Sequence, residues 1–301
     1  MTEKGISPAN ISINSSLSPK QSELRRFYRI FFGRGVVILG AIIIFIIIII
    51  AIFAPYLAPY DPIKPDAAAS LQSPSAEHLL GTDVLGRDVL SRLMFGSRVA
   101  FMVGVIATGI AALFGVTMGL VAGYFGGWMN TLIMRITDAL MSVPPIMLAL
   151  AVAALLGGGL RNVMISVGIS LIPTYCRLMC SEVLTIKESD YVTAIVLTGA
   201  SDFRVMLKHI LPNSFPPIIV LITLNMGIAI MAEASLSFLG IGISPPEPAW
   251  GGMVSDGYRY INTNPVLTFA PGVAVMLIVL AFNIVGDGLR DALDPRLRGI
   301  I

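Results

Sequence analysis

The sequence predicts an all-α integral membrane protein with six transmembrane helices, on three observations. Only 13% of the 301 residues are charged while 55% are hydrophobic, against ~25% charged in soluble domains, and mean hydropathy is +0.84. Six long apolar stretches with few or no charges are separated by short segments rich in glycine, proline and charge. The basic residues fall unevenly on alternate connections. Stretches of this length exceed barrel strands, so the backbone groups inside the bilayer must be satisfied within helices.

Residues 1–34 read as a cytoplasmic tail followed by an interfacial helix. Within it Arg25, Arg26, Arg29 and Arg34 alternate with Phe27, Tyr28, Ile30, Phe31 and Phe32, the mixture that seats a helix at a lipid headgroup surface. The first span occupies 35–54. Gly35 to Tyr60 carries no charge, and the run is longer than the ~7–15 residues of a signal-peptide core, so it reads as a retained anchor. An external loop, 55–98, follows. A five-helix core, 99–286, then contains spans at about Val99–Gly123, Thr131–Leu156, Asn162–Cys180, Pro217–Ile243 and Val266–Val285. Pro173 is expected to interrupt the fourth. Residues 287–301 form a cytoplasmic C-terminus.

With the N-terminus inside, fourteen Lys and Arg residues lie on inner segments, among them Arg135, Arg177, Lys187, Arg204, Lys208 and Arg290. Six lie outside: Lys64, Arg87, Arg92, Arg98, Arg161 and Arg259. That bias predicts both ends in the cytoplasm. The long loop 181–216 is then internal.

Several chemistries are missing. Net charge is +2, with no basic field for nucleic acid. Two cysteines, Cys176 and Cys180, share a helix face at i, i+4 and read as packing residues rather than a metal site. His78 and His209 fall on opposite membrane faces, so no metal site is expected. None of the five lysines follows a glycine, so no phosphate-binding loop is present, and no nucleophile or metalloprotease motif appears. No catalytic residue is assigned, and any energy source must lie in another chain.

The inner loop runs from Asp190 through Tyr191, Val192, Thr193 and Ala194 to Gly199, Ala200 and Ser201, then to Ile210-Leu211-Pro212-Asn213. It reads as a short helix, a glycine break, and a second helix N-capped by Asp202 and stopped by Pro212. This stretch resembles the Glu-Ala-Ala loop of ATP-binding-cassette importer membrane subunits. Ala194, Gly199 and Ile210-Leu211-Pro212 match that pattern, whereas Thr193 and Ile195 stand where the family usually has Glu and Ala.

Three more segments are similar to the second, "C"-type permeases of the dipeptide, oligopeptide and nickel family: Leu80–Arg92, Glu233–Gly242 followed by Pro245-Pro246 and Glu247–Gly251, and Asn283–Arg296. The resemblance implies a type I importer fold in a bacterial or archaeal cytoplasmic membrane. It also implies a loop, Asp190–Ser201, that docks on an ATPase, and partners comprising a second permease, two ATPase subunits holding Mg-ATP, and an external solute-binding protein. This chain itself needs no cofactor. Small peptides are the expected solute, with a nickel chelate, glutathione, an opine or an antimicrobial peptide as alternatives; an ion-coupled secondary transporter is a further one.

Other candidates come from the residues alone. Glu233 lies in an apolar span, so it faces the bundle interior or a wet path. Asp138 and Arg135, near the inner end of the third span, pair with each other or snorkel, and with Glu233 they are candidate pathway or buried polar residues. Asp83, Arg87, Asp88 and Arg92 stand at helical spacings and suggest an external ion-pair network on an amphipathic helix.

Overall fold

The isoleucine-rich run folds as an unbroken helix, α1 (Gly35–Leu57), because nothing in it offers the backbone an alternative to its own hydrogen bonds. The computed structural model describes residues 27–293, so most of the N-terminal tail, the start of the interfacial helix and the last residues of the C-terminal motif lie outside the described residues. Residues 27–32 are helical. After α1 the chain forms an outer cap with one short turn at Ala67–Ala69.

Nine further helices follow: α2 (Val89–Phe125), α3 (Gly127–Met141), α4 (Pro145–Leu156), α5 (Leu160–Lys187), α6 (Asp190–Leu197), α7 (Asp202–Val205), α8 (Leu211–Phe238), α9 (Trp250–Tyr258) and α10 (Val266–Leu293). No strand is formed among the described residues, only one isolated bridge between Thr82 and Asp88. Five helices or helix runs are long and apolar enough to cross a membrane, and α3 with α4 makes a sixth crossing bent by 90°.

That bent pair crosses rather than turning back, and the reason is the packing of α2 on α5. Gly168 of α5 lies against Ile110, Gly115 of α2 against Tyr175, Gly119 against Met179 and Gly123 against Val183. Position numbers rise together on both helices, so α2 and α5 run parallel, and the segment between them must return across the bilayer. The remaining spans alternate. Gly227 of α8 meets Val279 and Phe282 of α10 while Gly286 of α10 meets Leu224, and Gly40 of α1 meets Ile284 while Gly288 meets Val37; both pairs are antiparallel. Six spans with both ends on one side result. The end carrying Lys187, Arg204 and Lys208 is the inner end by the basic-residue bias.

Close packing of α2 on α5, the most extensive helix contact in the molecule, depends on a small-residue stripe. Ala107, Ala111, Gly115, Gly119 and Gly123 are all buried at intervals of four. A Cβ added at Gly115, Gly119 or Gly123 would lie 2.5, 2.8 and 2.7 Å from Tyr175 Cβ, Met179 Cβ and Val183 Cβ. Helices in lipid associate through such surfaces because no hydrophobic gain separates lipid from leucine.

Several sequence expectations are corrected. Helix α1 runs on to Leu57 rather than ending at 54, and α2 begins at Val89, since the Asp88 carboxylate accepts the Ser91 amide at 2.7 Å as an N-cap; of the stretch 55–98 only 58–88 is therefore loop. Residues 83–88 form no helix. The third span breaks at Ser142–Pro144 because Pro145 restrains Pro144 to extended geometry, φ −54° and ψ 135°. Pro173 does not interrupt the fourth span, which continues to Lys187; one lost backbone bond is tolerated where the helix is held by a neighbour on a buried face. Pro212 does not stop the inner-loop helix either. A wide π-helical turn at Met206–Ile210 leads into α8, and the missing proline N–H falls in the first turn of that helix. Helix α8 ends at Phe238 rather than Ile243, and α10 extends beyond Val285 to Leu293.

Candidate coupling surface and membrane-depth polar residues

The inner loop is built as two short helices anchored by a few buried side chains. Val192, Val205 and Ile210 point into the main core, and Asn213 Nδ2 donates to the Tyr191 hydroxyl at 3.1 Å, fixing α6 to the start of α8. Helix α6 ends where expected. Thr198 N donates to Ala194 O and Gly199 N to Val196 O, and Gly199 takes φ +82°, the left-handed conformation that closes a helix. A Cβ at Gly199 meets nothing within 4 Å, so its demand is conformational rather than spatial.

Outward-facing side chains on this loop are unusually apolar for a surface beyond the lipid. Leu197 is 82% exposed and Phe203 69%, and Tyr191, Val196 and Leu207 are also exposed. Asp190, Thr193, Ala194 and Ser201 are exposed alongside them, while Val192 is buried and Ala200 partly buried. Ser201, not Asp202, occupies the N-cap position of α7, without a side-chain bond. Asp202 is instead engaged across the molecule: Tyr124 at the end of α2 donates its hydroxyl to Asp202 Oδ1 at 2.6 Å. Lys187 at the end of α5 donates to the Tyr124 carbonyl at 2.5 Å and lies 5.3 Å from its ring. The loop is thus strapped to the end of α2, which Lys187 ties in turn to the end of α5, and neither Tyr124 nor Lys187 is apparent as a strap from sequence spacing.

Residues 115–299 match the family of binding-protein-dependent transport system inner membrane components. Residues 22–74 match the N-terminal transmembrane domain of oligopeptide transport permease C. The chain belongs to the binding-protein-dependent transport permeases. It is 41% identical to the dipeptide transport system permease protein of Alkalihalophilus pseudofirmus over 298 residues, 99% of this chain and 97% of that one. It is 40% identical to the glutathione transport system permease protein of Pectobacterium atrosepticum over 275 residues, 91% of each. Inward-facing MetNI methionine ABC transporter shares the fold, at TM-score 0.56 and 17% identity over 68% of this chain and 97% of that one.

In the permease, the membrane-depth candidates part company. Glu233 is 1% exposed and accepts the Ser237 hydroxyl at 2.7 Å, while Ser237 Oγ accepts the Ile243 amide at 3.0 Å. It serves as the anchor of the turn that closes α8. Asp138 does not pair with Arg135. It pairs with Arg177 of α5, because α3 packs on α5 through the neighbouring Thr137, whose hydroxyl lies 3.6 Å from Cys176 Sγ. Cys180 likewise receives Asn130 Nδ2 at 3.3 Å, so both thiols serve this packing. In the sequence Arg177 registers only as an inner-side charge. Its nearness to Asp138 depends on how α3 leans on α5, for which spacing along the chain carries no signal.

The outer cap of the permease is held by buried charge. Asp83 accepts the Leu85 and Arg87 amides and the Arg87 Nε at 2.7 Å, and pairs with Arg92 at 3.4 Å. Arg92 also donates to Pro62 O, and His78 Nδ1 lies 3.0 Å from Asp88. The expected ion-pair network exists, on a folded loop rather than a solvated helix: Arg87 is 5% exposed and Arg92 4%.

Proposed function

We propose that this chain is one of two membrane subunits of an ATP-driven importer of small peptides, seated in a bacterial or archaeal cytoplasmic membrane with α6 and α7 toward the cytoplasm. The observation that carries the reading is the apolar, exposed and rigidly strapped face of α6–α7. A surface of leucine, phenylalanine, tyrosine and valine beyond the lipid calls for a protein partner, and its connections lead straight to the bundle. The partner is an ATPase subunit, one of two, and Mg-ATP is bound there and not here. When the ATPases close, force on the α6–α7 loop passes through Asp202–Tyr124 to the end of α2, which Lys187 ties to the end of α5, the pair whose close fit makes them move as one body. A second permease completes the pathway, and an external binding protein delivers the solute. Dipeptides and glutathione are the solutes to test, because the relatives are named for them.

Reconstitution of the chain with its partner permease, ATPases and binding protein tests this. Uptake of a labelled dipeptide or glutathione is expected to require both ATP and the binding protein, and the purified chain alone should hydrolyse no ATP. Uptake driven by an ion gradient without ATP overturns the reading.

A further inference from the structure

At the inner end of the bundle α5 and α10 both pack on α8 and leave a cleft of about 480 Å³ between them. Leu178 and Glu182 of α5 form one wall, Arg290 of α10 the other, and Pro217, Leu221 and Leu224 of α8 the floor. The inner rim is Asn213, whose side-chain amide donates to the Tyr191 hydroxyl of α6, so the mouth of the cleft adjoins the inner loop. Its volume and apolar lining, with a few polar groups converging on it, are those of a small-molecule site.

The two charged groups stand at one height on opposite walls. Tyr175 of α5 lies beside Asn225 of α8, and Leu224 of α8 meets Gly286 of α10; both neighbours run antiparallel to α8. Seven residues further in along α5 brings Glu182 level with Ile218, and four further in along α10 brings Arg290 level with Val220. Those levels differ by about 3 Å at 1.5 Å per residue. Among the described residues neither side chain makes an ion pair, so a carboxylate and a guanidinium face one cavity without meeting. Apolar surface lies to both sides of them, Leu178, Leu221 and Leu224 toward the membrane and Pro216, Pro217 and Leu293 toward the cytoplasm.

We propose that this cleft binds a small zwitterionic peptide from the cytoplasmic side, with the peptide ammonium on Glu182 and its carboxylate on Arg290. An extended dipeptide carries its two charges ~7 Å apart, so it bridges walls whose own side chains leave the gap open. Each end gains a charge-assisted hydrogen bond, and the planar donors of Arg290 suit a carboxylate held bidentately. Apolar surface above and below the charges takes the peptide side chains. A phospholipid needs the charge at one end of the cleft and apolar surface on one side only, which is not the arrangement here. That the bound peptide is also the transported solute rests on the transport reading above; that the cleft takes a small zwitterion does not.

The test uses the assembled complex with Cys176→Ala, Cys180→Ala and Leu221→Cys, without ATP or binding protein. A neutral water-soluble thiosulfonate is expected to label position 221, and an unblocked dipeptide to slow that labelling. N-acetylation or C-amidation of the dipeptide should each weaken protection about tenfold, the loss of one charge-assisted contact. With Glu182→Gln the acetylated and free peptides should protect equally, and with Arg290→Gln the amidated and free peptides should. A misfolded variant cannot produce that exchange of end-group selectivity. Position 221 inert to the reagent, because lipid or another subunit covers it, overturns the proposal, and so does equal protection by free and blocked dipeptides in the parent complex. Protection in vesicles of phosphatidylethanolamine without peptide, absent in phosphatidylcholine, assigns the cleft to lipid and also overturns it. If the complex imports a dipeptide that gives no protection, the transport reading stands and the site falls. If it imports none while protection depends on both charges, the transport reading falls and the zwitterion site stands.

Discussion

Gly199 shows how a single residue can matter without touching anything. Its φ of +82° lies where an L side chain costs ~1 kcal/mol or more, and no neighbour crowds it. Gly199→Val is expected to leave membrane insertion intact, to loosen the end of α6, and to reduce solute-stimulated ATP hydrolysis and uptake in the reconstituted complex. Normal coupling in the Val variant counts against the role given to this cap. Glu233 makes the opposite point. Buried and bonded to Ser237, it holds the α8 turn closed, so a charged residue in an apolar span here is part of the architecture.

At the scale of elements, two assemblies invite measurement. The α2–α5 contact leaves no room for a side chain at Gly119, whose added Cβ would press on Met179. Gly119→Val should cost about 1–3 kcal/mol or more and lower the temperature at which the detergent-solubilised complex loses helicity, whereas Gly109→Ala, on the same helix with open space around it, should change stability far less. The outer cap depends on Asp83 as the shared partner of Arg87 and Arg92. Asp83→Ala leaves two buried guanidiniums without that partner, a loss on the order of 3 kcal/mol. External trypsin should then cut at Arg87 in intact spheroplasts, where the wild-type cap resists; equal resistance in the variant argues that the ion pairs are not what closes the cap.

The whole molecule is a six-crossing bundle whose handed logic follows from α2 and α5 running parallel. Topology labelling checks it directly. On a background without Cys176 and Cys180, Ala76→Cys should react with an impermeant maleimide from outside, and Ser201→Cys only after the membrane is opened. External labelling at position 201 would invert the bundle and remove the ATPase from α6. At this scale the inner loop is tied to the packed helix pair through Asp202, Tyr124 and Lys187, so a load on the loop is passed to α2 and α5.

Sequence by itself determined the class, the number of crossings, the side of the long loops and the end of α6 at Gly199. Each depends on information local to the chain: apolar run length against bilayer thickness, the position of basic residues, and the one residue type that accepts a left-handed turn. The glycine stripe at Gly115, Gly119 and Gly123 was there to be read as well, as an interval of four in an apolar run. Tertiary structure alone decided that the third span bends by 90°, that prolines 173 and 212 are carried inside continuous helical runs, and that Asp138 meets Arg177 rather than Arg135. It also decided that the outer charges fold into a buried knot. These outcomes turn on which surfaces lie opposite each other, and a charge or a proline is stabilised or not by neighbours that are tens of residues away along the chain.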